Sequence, residues 1–351
     1  MNKVLFCGAG YGAGNIGDDA ILSGLLFSAK MQLREDTQYG ALTFNPEFTK
    51  KNADLDQVFD FSLGVDKAFQ WATHIVLGGA SLLSGWSIDH CSNLIIRAQK
   101  LKKPICMLAA GTSLTPSAEQ KQQLVTHFGS LDMITLRSDN DRDLAIKWGL
   151  NPDKLWVCAD GAFAIERGYE VHSPSSTMGI NLVHENLPDK YEYFDVIKQL
   201  LLEESFYSDL ACICGETRKE EGFDYFLLKE LAEVCDGILY DEYINYSDLL
   251  KILAGCDFVI VMRMHMMLFC ALIGVPCIPF VREPKTMLMA DELGLKHILP
   301  MDITLPELKE IIDEVREDPR IAIADSTMVD DLRTRSFKNG EMLCKWMRLE
   351  L

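Results

Sequence analysis

Short apolar runs alternate with longer stretches of helical period along the whole chain. In the first half, the runs at 3–7, 39–43, 74–78, 104–109 and 132–136 read as strands. Each is closed by glycine or polar residues and followed by a helix-like segment such as 20–33, 88–101 or 117–127. The second half repeats the alternation, with strands at 177–182, 209–214, 237–240, 257–262 and 275–280 and helices near 190–204, 222–235, 246–254 and 266–273. Strands that alternate with helices make βαβ units, whose parallel sheet is covered on both faces. The pattern predicts an α/β protein with two Rossmann-like domains. A polar stretch at 165–176, holding Gly168 and Pro174, follows the strand-like Leu155–Cys158 and places the boundary. The expected division is 1–168, 169–326 and a helical tail at 327–351. In that tail Leu332, Phe337, Met342, Trp346 and Met347 are available to pack back on the first domain.

Composition narrows the function classes. At 351 residues, 48% hydrophobic and 25% charged, the chain suits two folded domains and excludes disorder, collagen and coiled coil. Acidic residues outnumber basic ones, 52 to 34, for a net charge of −18. Such a surface repels a polyphosphate backbone, so nucleic acid is not an expected partner. Of the eleven cysteines, Cys7, Cys106, Cys212, Cys214, Cys256, Cys270 and Cys277 lie inside apolar runs, where a thiol packs as a small hydrophobe in a reducing compartment. Cys212-x-Cys214 is the nearest approach to a ligand pair, and no CxxC or His-rich partner is present, so no metal is expected. The opening segment runs straight into a strand without a signal-peptide pattern. The longest apolar stretch, 264–281, is interrupted by His265, Gly274, Pro276 and Pro279 and reads as buried helix plus strand. The expected location is cytoplasmic.

Two loops stand out for their small residues. After the first strand, residues 8–19 read GAGYGAGNIGDD and run into a helix, so free amides and closely approachable backbone favour an anion or polar ligand. Gly10, Gly12, Asn15 and Asp18 are the candidate contacts. The competing structural reading is a tight crossover with Asp18 as helix cap. A dinucleotide site is weakened because the second strand ends Leu-Thr-Phe-Asn rather than in the acid that would hold a ribose. The loop after strand 74–78 offers Gly78, Gly79 and Ser81 at a strand's carboxyl end, where open α/β sheets bind ligands; a close-packed turn explains it equally well.

The strongest constellation follows the buried run Phe258–Met262. Arg263 and His265 fall at that strand's exit, and Lys285 lies just beyond the next strand. Three such groups at adjacent strand ends suit an anion site, because burying them without partners would cost several kcal/mol, roughly. Arg137, at the exit of strand 132–136, is a further candidate anion clamp.

Taken together, GAGYGAGNIGDDAIL (8–22), GGASLL (78–83), the Arg137 segment ending Trp148-Gly149-Leu150, Asp160–Phe163, the unit 248–257, MRMH (262–265), GVP (274–276) and Pro284-Lys285 resemble the polysaccharide pyruvyl transferase family. The family pattern has glycine where Ala80 stands, Asp where Ser138 stands, Ser where Asp141 stands, Leu where Met264 stands, and an aromatic–Asp pair where Arg282-Glu283 stand. The resemblance implies a GT-B-like arrangement with an interdomain cleft, the first domain on the acceptor side and the second on the donor side. It implies phosphoenolpyruvate as co-substrate, no cofactor, and a polysaccharide or lipid-linked glycan as acceptor of a pyruvate ketal. Arg263, Lys285 and Arg137 are then the donor-binding cations, and His265 the general acid/base. A lipid-linked acceptor would bring the protein to the inner face of the membrane as a peripheral partner.

Two other readings use the same residues. A nucleotide-sugar glycosyltransferase would place Arg263 and Lys285 on a diphosphate, with the nucleotide near the turn Glu216-Thr-Arg218-Lys219. A non-catalytic sugar- or anion-binding relative would bind donor without turnover.

Overall fold

The computed structural model describes residues 1–33, 36–166, 168, 173, 176–183, 192–203, 209–281, 283–299 and 303–349. The helix expected near 190–204 and Arg282 lie partly or wholly outside these residues. The chain forms two compact units, 1–167 with 331–351 and 168–330.

Unit 1 opens with β1 (Lys3–Cys7), α1 (Ile16–Gln32), β2 (Gln38–Thr43), α2 (Pro46–Asn52), β3 (Gln57–Asp60) and α3 (Val65–Trp71). It continues with β4 (His74–Gly78), α4 (Trp86–Lys100), β5 (Ile105–Ala110), α5 (Ala118–Thr126), β6 (Ile134–Leu136), α6 (Asp139–Lys147) and β7 (Leu155–Val157). The strands form one sheet in the order β3-β2-β1-β4-β5-β6-β7, and all its pairings are parallel. Central strands such as Ile105–Ala110 are buried along their whole length, which is why they read as continuous apolar runs rather than alternating ones.

Parallel strands put all their carboxyl ends on one edge, and the order reverses direction between β1 and β4. That switch point is where the glycine-rich turn after β1 and the Gly78-Gly79 turn after β4 meet. β5 is irregular: its register shifts between Met107 and Ala110, and Ala109 has φ +50° while its amide donates to Thr135 Oγ1 at 2.7 Å.

Unit 2 contains β8 (Thr177–Asn181), α7 (Glu192–Glu203), β9 (Asp209–Ile213), α8 (Asp224–Val234), β10 (Ile238–Tyr240) and α9 (Tyr246–Ala254). After these come β11 (Phe258–Val261), α10 (Met264–Ile273), β12 (Cys277–Pro279), α11 (Pro284–Glu292) and α12 (Leu305–Glu317). Its sheet runs β10-β9-β8-β11-β12, again with every pairing parallel. A core of Ile180, Ile197, Leu228, Leu231, Ile260, Phe280 and Leu308 fills the space between sheet and helices.

The last helix, α13 (Ser326–Met347), completes unit 1. Arg333 donates to the Phe163 carbonyl at 3.0 Å, Ser336 Oγ to the Asp160 carbonyl at 2.7 Å, and Asn339 Nδ2 to the Ala159 carbonyl at 3.1 Å. Trp346 Nε1 donates to Asp132 at 3.0 Å. Gly340 lies so close to the Ser28 carbonyl of α1 that a Cβ would not fit between them.

Candidate functional site

The glycine-rich turn is as much a packing device as an open cradle. Tyr11 at its centre is fully buried and its hydroxyl donates to the Gly78 carbonyl at 2.7 Å, tying the two small-residue loops together. Gly12 has φ +70°, and a Cβ there would meet Thr43 Oγ1 at 2.5 Å and the Asn45 amide at 2.8 Å. The Gly12 amide donates to Asp19 Oδ1 at 2.8 Å. The cap of α1 is Asn15, whose side chain accepts from the Gly17 amide at 3.1 Å, not Asp18 as the sequence suggested. Asp18 sits in the first turn, where its carboxylate would meet a Cβ on Gly10 at 2.9 Å.

Arg137 leaves β6 into the interior of this edge and is only 6% exposed. Its Nη1 pairs with the fully buried Asp160 carboxylate at 3.1 Å, and its Nη2 lies 3.5 Å from Ser81 Oγ. Burial opposes its charge, but Asp160, Asp141 and Asp18 outweigh that and hold its pKa above the ordinary arginine value. Gly111 packs flat against the guanidinium, where any side chain would overlap it. The structure therefore brings Asp18, Ser81 and Arg137 together, but the positive charge is matched inside the unit. Arg137, expected as a further anion clamp, is thus paired with Asp160 within its own unit.

The Ser138 and Asp141 departures form one local solution. Ser138 caps α6, its Oγ accepting from the Asp141 amide at 3.1 Å and donating to Asp141 Oδ2 at 2.8 Å. Asp141 Oδ1 accepts from both the amide and hydroxyl of Thr112, at 2.8 and 2.7 Å. The hydroxyl–carboxylate pair of the cap is kept with its two members exchanged.

In unit 2, Arg263, His265 and Lys285 all fall at the carboxyl edge of neighbouring strands β11 and β12. Arg263 is the N-cap residue of α10, His265 lies in that helix's first turn, and Lys285 lies in the first turn of α11. Helix α10 begins two residues before the apolar run 266–273 suggested, so His265 belongs to the helix and not to the loop before it.

Arg263 is held from behind by Asp224. Its Nε contacts both carboxylate oxygens at 2.8 Å and its Nη2 reaches Oδ1 at 2.5 Å. Asp224 is completely buried and also accepts from the amides of Gly215 and Glu216, at 2.9 and 3.1 Å, and from Asn181 Nδ2 at 3.2 Å. Asn181 Oδ1 in turn accepts the Arg263 amide at 3.1 Å. This leaves Nη1 of Arg263 without a hydrogen bond among the described residues, on a side chain 22% exposed.

Burial works against the Arg263 charge, but Asp224, Glu216 and Glu283 raise its pKa further. Glu283 also pairs with Lys285 at 2.6 Å, so one carboxylate bears on both cations. The His265 ring packs 6.5 Å from Phe269, and its Nε2 is shielded from solvent.

Sequence reasoning missed Asp224, Asn181 and Gly111. An acid opening a helix, as in Gly222-Phe223-Asp224, was available as a signal, but helix capping accounts for it without any contact to Arg263. Arg218 is a further member of this edge. It is bound in a fork to buried Glu216, at 2.9 and 2.8 Å, and lies 4.0 Å over the Phe223 ring.

The polysaccharide pyruvyl transferase family model matches residues 15–284. The chain belongs to that family. Among curated proteins none matches it. Solved structures share its fold at low identity. HepE of Anabaena in complex with UDP-glucose is 13% identical, with a TM-score of 0.60 over 100% of both chains. A putative UDP-N-acetylglucosamine 2-epimerase from Listeria monocytogenes is 11% identical, with a TM-score of 0.65 over 100% of this chain and 97% of that one. UDP-GlcNAc 2-epimerase from Methanocaldococcus jannaschii is 12% identical, with a TM-score of 0.60 over 99% and 100%. This polysaccharide pyruvyl transferase family member thus has the two-sheet α/β fold of GT-B-like UDP-sugar enzymes. Among its described residues, no helix is long and apolar enough to cross a membrane, and no three metal-ligating side chains are grouped to hold an ion.

Proposed function

We propose that this family member transfers the pyruvyl group of phosphoenolpyruvate to two hydroxyls of a sugar in a polysaccharide or lipid-linked glycan, releasing phosphate and leaving a cyclic ketal. The observation that carries the reading is the Asp224-held Arg263 beside His265 and Lys285 on neighbouring helix starts, in a chain matching the family over 15–284. The donor carries a carboxylate and a phosphate. Arg263 Nη1, Lys285 Nζ and the first amides of α10 supply planar, point-charge and dipolar recognition of such an anion. Donor binding displaces Glu283 from Lys285.

His265 acts as general acid/base. It gives a proton to the methylene carbon, the adjacent carbon becomes oxocarbenium-like, and a sugar hydroxyl attacks and returns its proton to the imidazole. Phosphate leaves with its bridging oxygen and takes up the proton of the second hydroxyl as that oxygen closes the ketal. No cofactor or metal enters this scheme. A lipid-linked acceptor would be met at the inner face of the membrane, with the protein in the cytoplasm.

The test is incubation of the full chain with phosphoenolpyruvate and a pool of bacterial glycans, followed by mass spectrometry and phosphate assay. Pyruvate adducts that appear in step with phosphate support the reading; a broad pool with neither refutes it. The UDP-sugar complexes of the fold's relatives favour nucleotide-sugar transfer as a second reading. It predicts that UDP- or GDP-sugar, and not phosphoenolpyruvate, raises the melting temperature.

A further inference from the structure

Unit 1 carries a line of four aromatic rings, of which Phe61 packs against its core. Phe44 stacks on Phe61 with centroids 4.6 Å apart, Phe61 meets the His90 ring at 5.2 Å, and His90 meets Trp86 at 5.7 Å. Its two ends are open to solvent, Trp86 being 68% and Phe44 47% exposed. A tryptophan and a phenylalanine left in water forgo much of the stabilisation that burying them would give, so a line of rings exposed at both ends, with Phe61 and His90 half-buried between them, marks a binding surface.

Its position in the fold is specific. Phe44 follows β2, Phe61 follows β3, and Trp86 and His90 lie one turn apart at the start of α4, all on the carboxyl edge that bears the glycine-rich turn. The Phe44 amide donates to the Tyr11 carbonyl of that turn at 2.9 Å. The Trp86 end is equally fixed, because Gly85, with φ +53°, sends the chain sharply into α4 and its carbonyl accepts from Gln120 Nε2 at 2.9 Å.

Resting on the glycan-acceptor reading above, we propose that the ring line Phe44–Phe61–His90–Trp86 is the platform on which two or more sugar units of the acceptor lie, outside the residue that is modified. Pyranose rings present flat faces of C–H bonds that stack on aromatic faces, while their rim hydroxyls stay in water. A line one ring wide suits a linear polymer better than the broad patch a second protein needs. Asp60 and Asp89 adjoin the line in sequence, and in a chain of net charge −18 they oppose self-association through it. Burial lowers the pKa of His90, so its ring is the neutral, stacking form at neutral pH.

The experiment uses the full chain with glucose-, galactose-, mannose- and N-acetylglucosamine-based tetrasaccharides and the matching methyl monosaccharides, titrated by tryptophan fluorescence and calorimetry. At least one tetrasaccharide should bind well above its monosaccharide. Trp86→Ala and Phe44→Ala should each weaken it at least tenfold, with melting temperature and phosphoenolpyruvate binding unchanged. In turnover the same variants should raise acceptor KM and leave kcat in place. Equal affinity in the variants, no tetrasaccharide bound by the wild type, or a dimer that Trp86→Ala dissociates would overturn the platform. Ketal formed with unchanged acceptor KM in the variants defeats the platform alone. Trp86-dependent glycan binding without any ketal defeats the pyruvyl-transfer reading and leaves the platform standing.

Discussion

Arg263 and Asp224 form a fork in unit 2: the carboxylate is fully buried and meets the guanidinium at 2.5 to 2.8 Å through two of its nitrogens. The two residues lie on different elements, the N-cap of α10 and the first turn of α8, so the pair joins the exits of β9 and β11 across β8.

Removing the buried partner leaves a desolvated cation and three unpaired donors. Asp224→Ala should therefore destabilise unit 2 by about 3–5 kcal/mol, read as a lowered urea midpoint. Asp224→Asn keeps an acceptor and should lose less. A midpoint unchanged in the alanine variant would show that the fork does not hold this edge.

His265→Ala should lower ketal formation by a factor of about 10²–10⁴, the usual range for a lost general acid/base, with phosphoenolpyruvate still raising the melting temperature. Arg263→Ala and Lys285→Ala should lose that thermal shift instead. Full turnover in the histidine variant would remove His265 from the reaction.

Ala80 has φ +58°, in the region that favours glycine, and its carbonyl accepts from the Gly111 amide at 2.9 Å. Relief of roughly 1–2 kcal/mol of left-handed strain exceeds the extra chain entropy glycine loses on folding, about 0.4–1 kcal/mol. Ala80→Gly should raise the melting temperature by a few degrees, measured by calorimetry. A lower melting temperature would mean that the methyl group's packing outweighs its backbone strain.

Burial lowers the pKa of His74, with Lys103 adding to the effect, and burial alone lowers that of His90. An unfolded histidine titrates near 6.5, so below about pH 7 the unfolded chain takes up protons that the folded one refuses. Stability from these two groups is therefore present above pH 6.5 and declines as pH falls through that value toward their folded pKa. Melting temperatures at pH 7.5 and 5.5 should differ less in a His74→Gln, His90→Gln variant than in the wild type. An equal difference would assign the decline to other groups.

The sequence was most legible where burial is two-sided. The runs 3–7 and 74–78 coincide with β1 and β4, and 246–254 with α9, because continuous apolar runs and a strong helical face leave few alternatives. β3 escaped notice because its residues Gln57–Asp60 are half-buried or exposed, and an edge strand does not need an apolar run. The early start of α1 was hidden because the sequence reading offered Asp18 as the cap, whereas the loop places Asn15 there. Arg263, His265 and Lys285 stood out because charge at a buried strand's exit requires an explanation. Asp224 did not, since its partner lies on another element and nothing local announces it. Arg137 gave the same charge-at-exit signal, and its partner Asp160 lies within its own unit.

Helix α13 makes the first unit discontinuous, leaving off at 167 and resuming at 331. Thr135 at the centre of β6 finds its side-chain partner, at 2.5 Å, in Asn339. A chain cut before 331 keeps all of the second unit and leaves the Asp160, Gly161 and Phe163 carbonyls of the first uncovered. Such a shortened chain should hold 168–330 folded and leave the first unit open to protease.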